Sequence, residues 1–246
     1  MPLEHSNNNT ETVLLLIHLQ KKKKMKTLNK EQQSKITPPQ ALELLKAGNT
    51  RFVDNLRINR NLLQMMNDTS DGQWPFAAIV SCMDSRTSAE LIFDQGLGDI
   101  FSIRLAGAVI SDNVLGSLEY ACKVAGSKFI VVLGHTKCGA IKGACDAVEM
   151  GNLTGLLNKI TPSVFAEKSV KENRTSGNSE FVEAVTNLHV EKSVQAIMEQ
   201  SKILRDMILN AEVGIIGGVY DVETGLVTFM EHTMILGADK DIAVAV

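Results

Sequence analysis

Aromatic residues are scarce in this 246-residue chain, with one tryptophan, two tyrosines and eight phenylalanines. So few stacking platforms, and a formal net charge of −3 that gives no field to gather polyanions, argue against nucleic-acid binding and for a small-molecule substrate. Long apolar runs are missing too. Residues 13–19 fall far short of the roughly 20 residues a spanning helix needs, and the basic run 21–24 follows them, whereas a secretory signal puts positive charge first. No membrane association is expected. Cysteine is limited to Cys82, Cys122, Cys138 and Cys145, with nothing that directs the chain to an oxidising compartment, so reduced thiols and a cytoplasmic location are expected. What is present is enough for an ordinary core: 44% of residues are hydrophobic, which suits one domain plus extensions.

Residues 1–36 read as a disordered N-terminal extension, with Met25 a candidate initiator, and residues 37–246 as a single domain. Thr37-Pro38-Pro39 is a helix start, and apolar spacing from Ala41 to Val53 continues an amphipathic helix whose stripe must be covered. The polar stretch 61–72 reads as a loop, and 75–80 as a buried strand that ends at Cys82. A second strand (100–105), a helix (113–124) with Ser111 or Asp112 able to cap it, and a third strand (128–133) follow, and His135 and Cys138 come directly after the third strand. Further helices are expected at 139–148 and 161–174, and one long helix or two over 181–210. Strands at 213–220 and 226–231 would close the chain as a hairpin. The fold class is α/β: a mostly parallel central sheet flanked by helices, with an antiparallel C-terminal hairpin strand and an extended N-terminal helix. In such sheets ligands collect beyond the carboxyl ends of the strands, where sequence-distant residues converge.

Cys82 in Cys82-Met83-Asp84-Ser85-Arg86 and the pair in His135-Thr136-Lys137-Cys138 offer two thiolates and an imidazole to a borderline-soft divalent cation, with no obvious fourth protein ligand. That pattern points to catalytic zinc with an open position. Asp84 and Arg86 stand beside the first ligand, where an arginine fork can fix a carboxylate that in turn orients a zinc-bound hydroxide. The glycines around this tetrapeptide do not form a phosphate loop, because Ala140-Ile141 stand where Lys and Ser or Thr are required after Gly139. Amides at the start of the next helix can instead stabilise the Cys138 thiolate. Cys122 and Cys145 read as structural thiols, and His189 and His232 as helix-surface or core residues.

These two motifs together resemble the signature of the β-class carbonic anhydrases, and the likeness runs from Gln73 to Ala147 and again from Gly217 to Glu231. The resemblance implies one Zn2+ per subunit on Cys82, His135 and Cys138, an Asp84/Arg86 catalytic dyad, and reversible hydration of carbon dioxide to bicarbonate and a proton. It also assigns the substrate pocket to Phe101 and Ala106, with Gln73 and the Gly139 amide as donors, and implies a homodimer or homotetramer in which the N-terminal helix packs on a neighbour. Two thiolates should acidify zinc-bound water less than three histidines do, so alkaline pH should favour turnover. One subgroup closes its zinc with the aspartate and carries a Trp three residues before the first cysteine; Ile79 stands there, although Arg104 matches that subgroup's arginine, so the open form is expected. Ala108 also replaces the asparagine of many relatives. Rival functions are hydrolysis of carbon disulfide or carbonyl sulfide on the same scaffold, a non-catalytic zinc or thiol redox module, and a binding module for a small anion.

Overall fold

The computed structural model describes residues 27–237. In chain order its elements are α1 (Lys30–Lys35), α2 (Pro38–Val53), α3 (Leu62–Asp68), β1 (Ala77–Ser81), α4 (Ala89–Ile92), β2 (Ile100–Arg104), a tight turn at Ala106–Ala108, α5 (Asp112–Glu119), a wide turn at Tyr120–Val124, β3 (Phe129–His135), α6 (Gly139–Cys145), α7 (Gly151–Leu157), α8 (Thr161–Ala166), α9 (Ser179–Gln200), α10 (Lys202–Leu209), β4 (Gly214–Tyr220) and β5 (Val227–Ile235). The strands form one five-stranded sheet in the order β2-β1-β3-β4-β5. All neighbours are parallel except β4 and β5, the antiparallel hairpin. After β1 the chain steps to one side, to β2, and then returns across β1 to β3. The carboxyl ends of β1 and β3 therefore flank a point where the winding reverses, which is where a crevice opens in such a sheet.

Both faces of the sheet are covered, which explains why β1 and β3 are apolar without alternation. Ala78, Val80, Ile130, Val132 and Ile215 pack with residues of α5, α9 and α10 on one face. Ala77, Ile79, Phe129, Val131, Leu133 and Ile216 pack with α2 and α4 on the other. Thr37 and Gln40 form a reciprocal capping box at the start of α2, with Pro38 in its first turn. Ala41, Leu42 and Leu45 of the α2 stripe are buried against this chain's own sheet, while Val53 at its end is exposed.

Several expectations are corrected. The expected extension is helical from Lys30 to Lys35: Asn29 and Gln32 cap each other, and buried Gln33 donates to the carbonyls of Pro75 and Ala125 at 2.7 and 2.8 Å. Residues 1–26 of that expectation lie outside the described residues. The presumed loop at 61–72 contains α3, which Asn61 caps by accepting from the Gln64 N–H; it buries only Met65, so it carries no apolar stripe to announce it. The helix expected over 161–174 stops at Ala166, because the Glu167 carboxylate folds back to accept from Ser169, Val170 and Arg174. Helix 113–124 widens into another turn type from Tyr120. Of the two forms expected over 181–210, the two-helix form is observed, divided at Ser201, whose hydroxyl accepts from the Leu204 N–H and donates to Glu119.

One buried ion cluster ties the α2–α4 layer together. Asp94, 3% exposed, takes Arg51 of α2, Arg60 and the Ile58 N–H. Asp94→Ala would strand the nearly buried Arg60 guanidinium and is expected to lower unfolding free energy by about 3–5 kcal/mol in urea titrations. Breaking the exposed Lys35–Glu31 pair should leave the urea midpoint in place.

Candidate metal centre

The register of the sheet builds the site. Ser81 pairs with Leu133, so Cys82, one residue past β1, emerges beside Gly134 and His135 at the end of β3. Between His135 and Cys138 the chain reverses through Lys137, whose φ of +58° is unusual for a residue with a side chain and lets both donors face the same space. The turn is anchored by Thr136, whose hydroxyl donates to Asp221 at 3.2 Å and accepts from the Val222 N–H at 3.1 Å, joining the ligand loop to the terminal hairpin.

The donor atoms of Cys82, His135 and Cys138 all lie within 4.8 Å of one another, and all three residues are buried. The two sulfurs are 4.0 Å apart, far beyond a disulfide, and both cysteines are free. Two thiolates at ~2.3 Å from a tetrahedral zinc would stand about 3.8 Å apart, so the spacing suits that ion. The His135 ring supplies the sharper test of fit. Its Nδ1 lies 2.9 Å from the Thr136 carbonyl, which can only accept, so Nδ1 carries the proton and Nε2 carries a lone pair. That Nε2 is buried and has no hydrogen-bond partner. A buried acceptor without a donor is costly in a protein that binds nothing there, and is the normal state of a metal-ligating imidazole.

The thiols titrate as a pair. A hydrogen bond from Cys138 holds the Cys82 thiol well below its ordinary range, and the same contact together with burial pushes Cys138 above it. The Asp84 and Gly107 N–H groups, each 3.4 Å from Cys82 Sγ, add to the first effect, and the Ala140 and Ile141 amides at the start of α6 oppose the second. Cys122 behaves otherwise: burial pushes it up to about 12, and burial also raises Cys145 to about 11, as expected of thiols that only fill space.

Asp84 faces Arg86, whose Nε donates to Oδ1 at 2.9 Å, Nη2 to Oδ2 at 2.7 Å and backbone N–H to Oδ1 at 3.0 Å. The Arg86 fork holds the Asp84 carboxyl far below the usual carboxylate range. Arg104 braces the same segment, donating from Nε to the Cys82 carbonyl at 3.2 Å and from Nη2 to the Asp84 carbonyl at 2.6 Å. Thr87 sends its hydroxyl to the same two carbonyls. Thr87 carries no independent chemical signal in the sequence, although it stands next to the Asp-Ser-Arg triplet.

The predicted pocket residues are not all brought together. Ala106 and Gly139 adjoin Gly107 and Cys138 at the donor end of the sheet. Phe101 sits near the start of β2, opposite Ala78, and its ring meets Tyr120 edge-on with centroids 6.4 Å apart. Gln73 is exposed and precedes β1. Both therefore lie toward the amino ends of the strands, away from the donors. The walls around the donors are instead Ala108, Val132, Ile141, Val190, Thr186 and His189.

The family model described as carbonic anhydrase matches residues 77–227. The chain is 36% identical over 208 residues to carbonic anhydrase 2 of Mycobacterium tuberculosis, which covers 82% of this chain and 97% of that protein. It is 34% identical over 201 residues to the carbonic anhydrase of Mycolicibacterium smegmatis, covering 79% of this chain and 94% of that one. In fold it is similar to the Coccomyxa β-carbonic anhydrase in complex with acetazolamide, with a TM-score of 0.61, 20% identity, and coverage of 83% and 94%. A tetrameric β-carbonic anhydrase from Sordaria macrospora gives a TM-score of 0.59 at 24% identity, covering 65% of this chain and 83% of that one.

His135→Ala and Cys138→Ala should each abolish stoichiometric zinc retention after dialysis, measured by atomic absorption, whereas Cys122→Ala should keep it. Because both sulfurs must lose their protons to bind metal, zinc loading should fall as pH is lowered.

Proposed function

The chain belongs to the β class of the carbonic anhydrase family, and we propose that it hydrates carbon dioxide reversibly to bicarbonate and a proton at zinc held by Cys82, His135 and Cys138. The observation that carries this reading is the unpaired His135 Nε2 facing two thiol sulfurs, with a fixed carboxylate beside them. Zinc there would supply a Lewis acid that makes water a competent nucleophile near neutral pH.

The chain's own part begins with Asp84. A carboxylate offers about four acceptor positions, and Arg86 fills three of them, two on Oδ1 and one on Oδ2. The remaining position, on Oδ2, accepts a hydrogen bond from the attacking water and turns its lone pair toward the substrate carbon. Arg86 keeps Asp84 ionised and, by engaging both of its oxygens, would hold it off a metal bound at the cysteines, which supports the open form. Carbon dioxide is uncharged and nearly apolar, so its pocket should be apolar with few polar guides.

Phe101 and Gln73 join this pocket only if a neighbouring copy supplies them, so the proposal includes a homodimer or homotetramer. The outer side of β2, an edge strand, is open to such a neighbour, and the Sordaria macrospora protein is described as tetrameric. Ala106 and the Gly139 amide would complete the pocket from within the chain. Among the described residues no helix is long and apolar enough to cross a membrane. The free cysteines fit the reducing cytoplasm proposed as its location.

Stopped-flow hydration of carbon dioxide by zinc-loaded protein tests the reading. Asp84→Ala and Arg86→Ala should each lower kcat by about 10²-fold or more while zinc content stays stoichiometric. Unchanged turnover in both variants would reject the dyad, and a zinc-loaded wild type without turnover would point to the redox or structural alternative.

A further inference from the structure

His189 lies in the middle of α9, 54 residues beyond His135 in the chain, and is 6% exposed. Its Nε2 stands 2.9 Å from the Gly107 carbonyl. A carbonyl only accepts, so Nε2 carries the proton, and Nδ1 is left to accept from the Ser163 hydroxyl at 3.5 Å. Burial keeps the ring neutral by lowering its pKa, which preserves this one-donor, one-acceptor arrangement.

The carbonyl it holds belongs to an unusual residue. Gly107 has a φ of +66°, inside the tight turn that follows β2, and its N–H donates to Cys82 Sγ at 3.4 Å. A glycine in the left-handed region has no side chain to restrain it, so the direction of its two flanking peptides depends on what those peptides bind. One flank is fixed by the sulfur of a proposed zinc ligand, and the other is held on its carbonyl by His189 and on its N–H side by Ala108, which donates to the Leu105 carbonyl at 2.9 Å. The ring also forms part of the wall around the donors, beside Val190 and Thr186. There α9 packs so tightly on β3 that a Cβ at Gly134 would come within 2.6 Å of Val190.

We propose that His189 is a positioning residue for the metal centre. By holding the Gly107 carbonyl it keeps the Gly107 N–H aimed at Cys82 Sγ, and so sets how much charge that thiolate donates to the metal. The inference rests on the zinc reading of the site. A hydrogen bond to a ligating sulfur withdraws charge from it, and outer partners of this kind are worth about 10–100-fold in metal affinity or activity.

Gln and Asn separate the donor from the bulk of the ring. A Gln amide reaches roughly as far as Nε2 of histidine and can still donate to Gly107, whereas Asn is one methylene too short. Wild-type, His189→Gln and His189→Asn proteins would be loaded with Co2+, and their thiolate-to-cobalt charge-transfer bands recorded. Zinc affinity would be measured by competition with a chromophoric chelator, and folding by circular dichroism. The expected result is a shifted band and about 10–100-fold weaker zinc binding in Asn, with both restored in Gln. A folded Asn variant with the wild-type band and affinity would overturn the proposal. So would a Gln variant that folds yet shifts as far as Asn, and this second arm decides the matter if Asn does not fold. A wild-type protein that bound neither metal would instead overturn the zinc reading itself.

Discussion

Parallel pairing of β1 with β3 is the constraint on which the rest depends. Hydrogen bonding between those two strands sets Cys82 next to the end of β3. A slip of one residue would reverse the faces of Ala77 to Ser81 and turn Cys82 away from His135. The apolar layers on both faces resist that slip, because Ala78 and Val80 are sealed by α9 and α10 while Ala77 and Ile79 are sealed by α2 and α4. Packing that lies well away from the chemistry thus fixes the separation of the donor atoms.

Concentrating two sulfurs and an imidazole in a buried space is electrostatically unfavourable without a cation. Much of the surrounding structure offsets it. Backbone N–H groups of Asp84 and Gly107 donate to Cys82 Sγ, and the Ala140 and Ile141 amides at the start of α6, where such groups have no internal partner, favour the Cys138 thiolate. Arg104 and Thr87 hold the carbonyls of the Cys82–Asp84 segment, so that its amides keep their direction. His189 acts one step farther out, on the carbonyl side of Gly107. The site is thereby supported by β2 and α9 as well as by the ends of β1, β3 and α6, where Cys82, His135 and Cys138 stand.

Legibility from sequence followed the distance over which the cause acts. Thr37 with Pro38 announced α2, and the apolar runs announced β1 and β3, because capping and two-sided burial leave a local pattern. The candidate donors were legible only jointly: the His135 and Cys138 pair alone is a weak signal, and Cys82 in its Asp-Ser-Arg segment, with the family that the two motifs resemble, made it specific. Helix α3 was not, since it buries a single methionine, nor was the early stop of α8, which depends on Glu167 meeting Arg174 seven residues on. The helix α1 was missed although Asn29 and Gln32 leave a local capping pattern, because its six residues carry no apolar stripe and its one buried residue, Gln33, bonds to carbonyls at Pro75 and Ala125 far along the chain.

By itself the sequence marked the α/β class and, through two short motifs and the family they resemble, Cys82, His135 and Cys138 as a group that could hold a metal, with Asp84 and Arg86 beside it; His135 with Cys138 and Asp84 with Arg86 are close in the chain, whereas Cys82 lies 53 residues before His135. Tertiary structure alone decided the lone pair left on His135 Nε2, the placement of Phe101 and Gln73 away from the donors, and the contact of His189 with Gly107. The physical reason is that a lone pair's availability, a strand's end and a helix's contact face are set by which segments pack together, and no short stretch of residues encodes that.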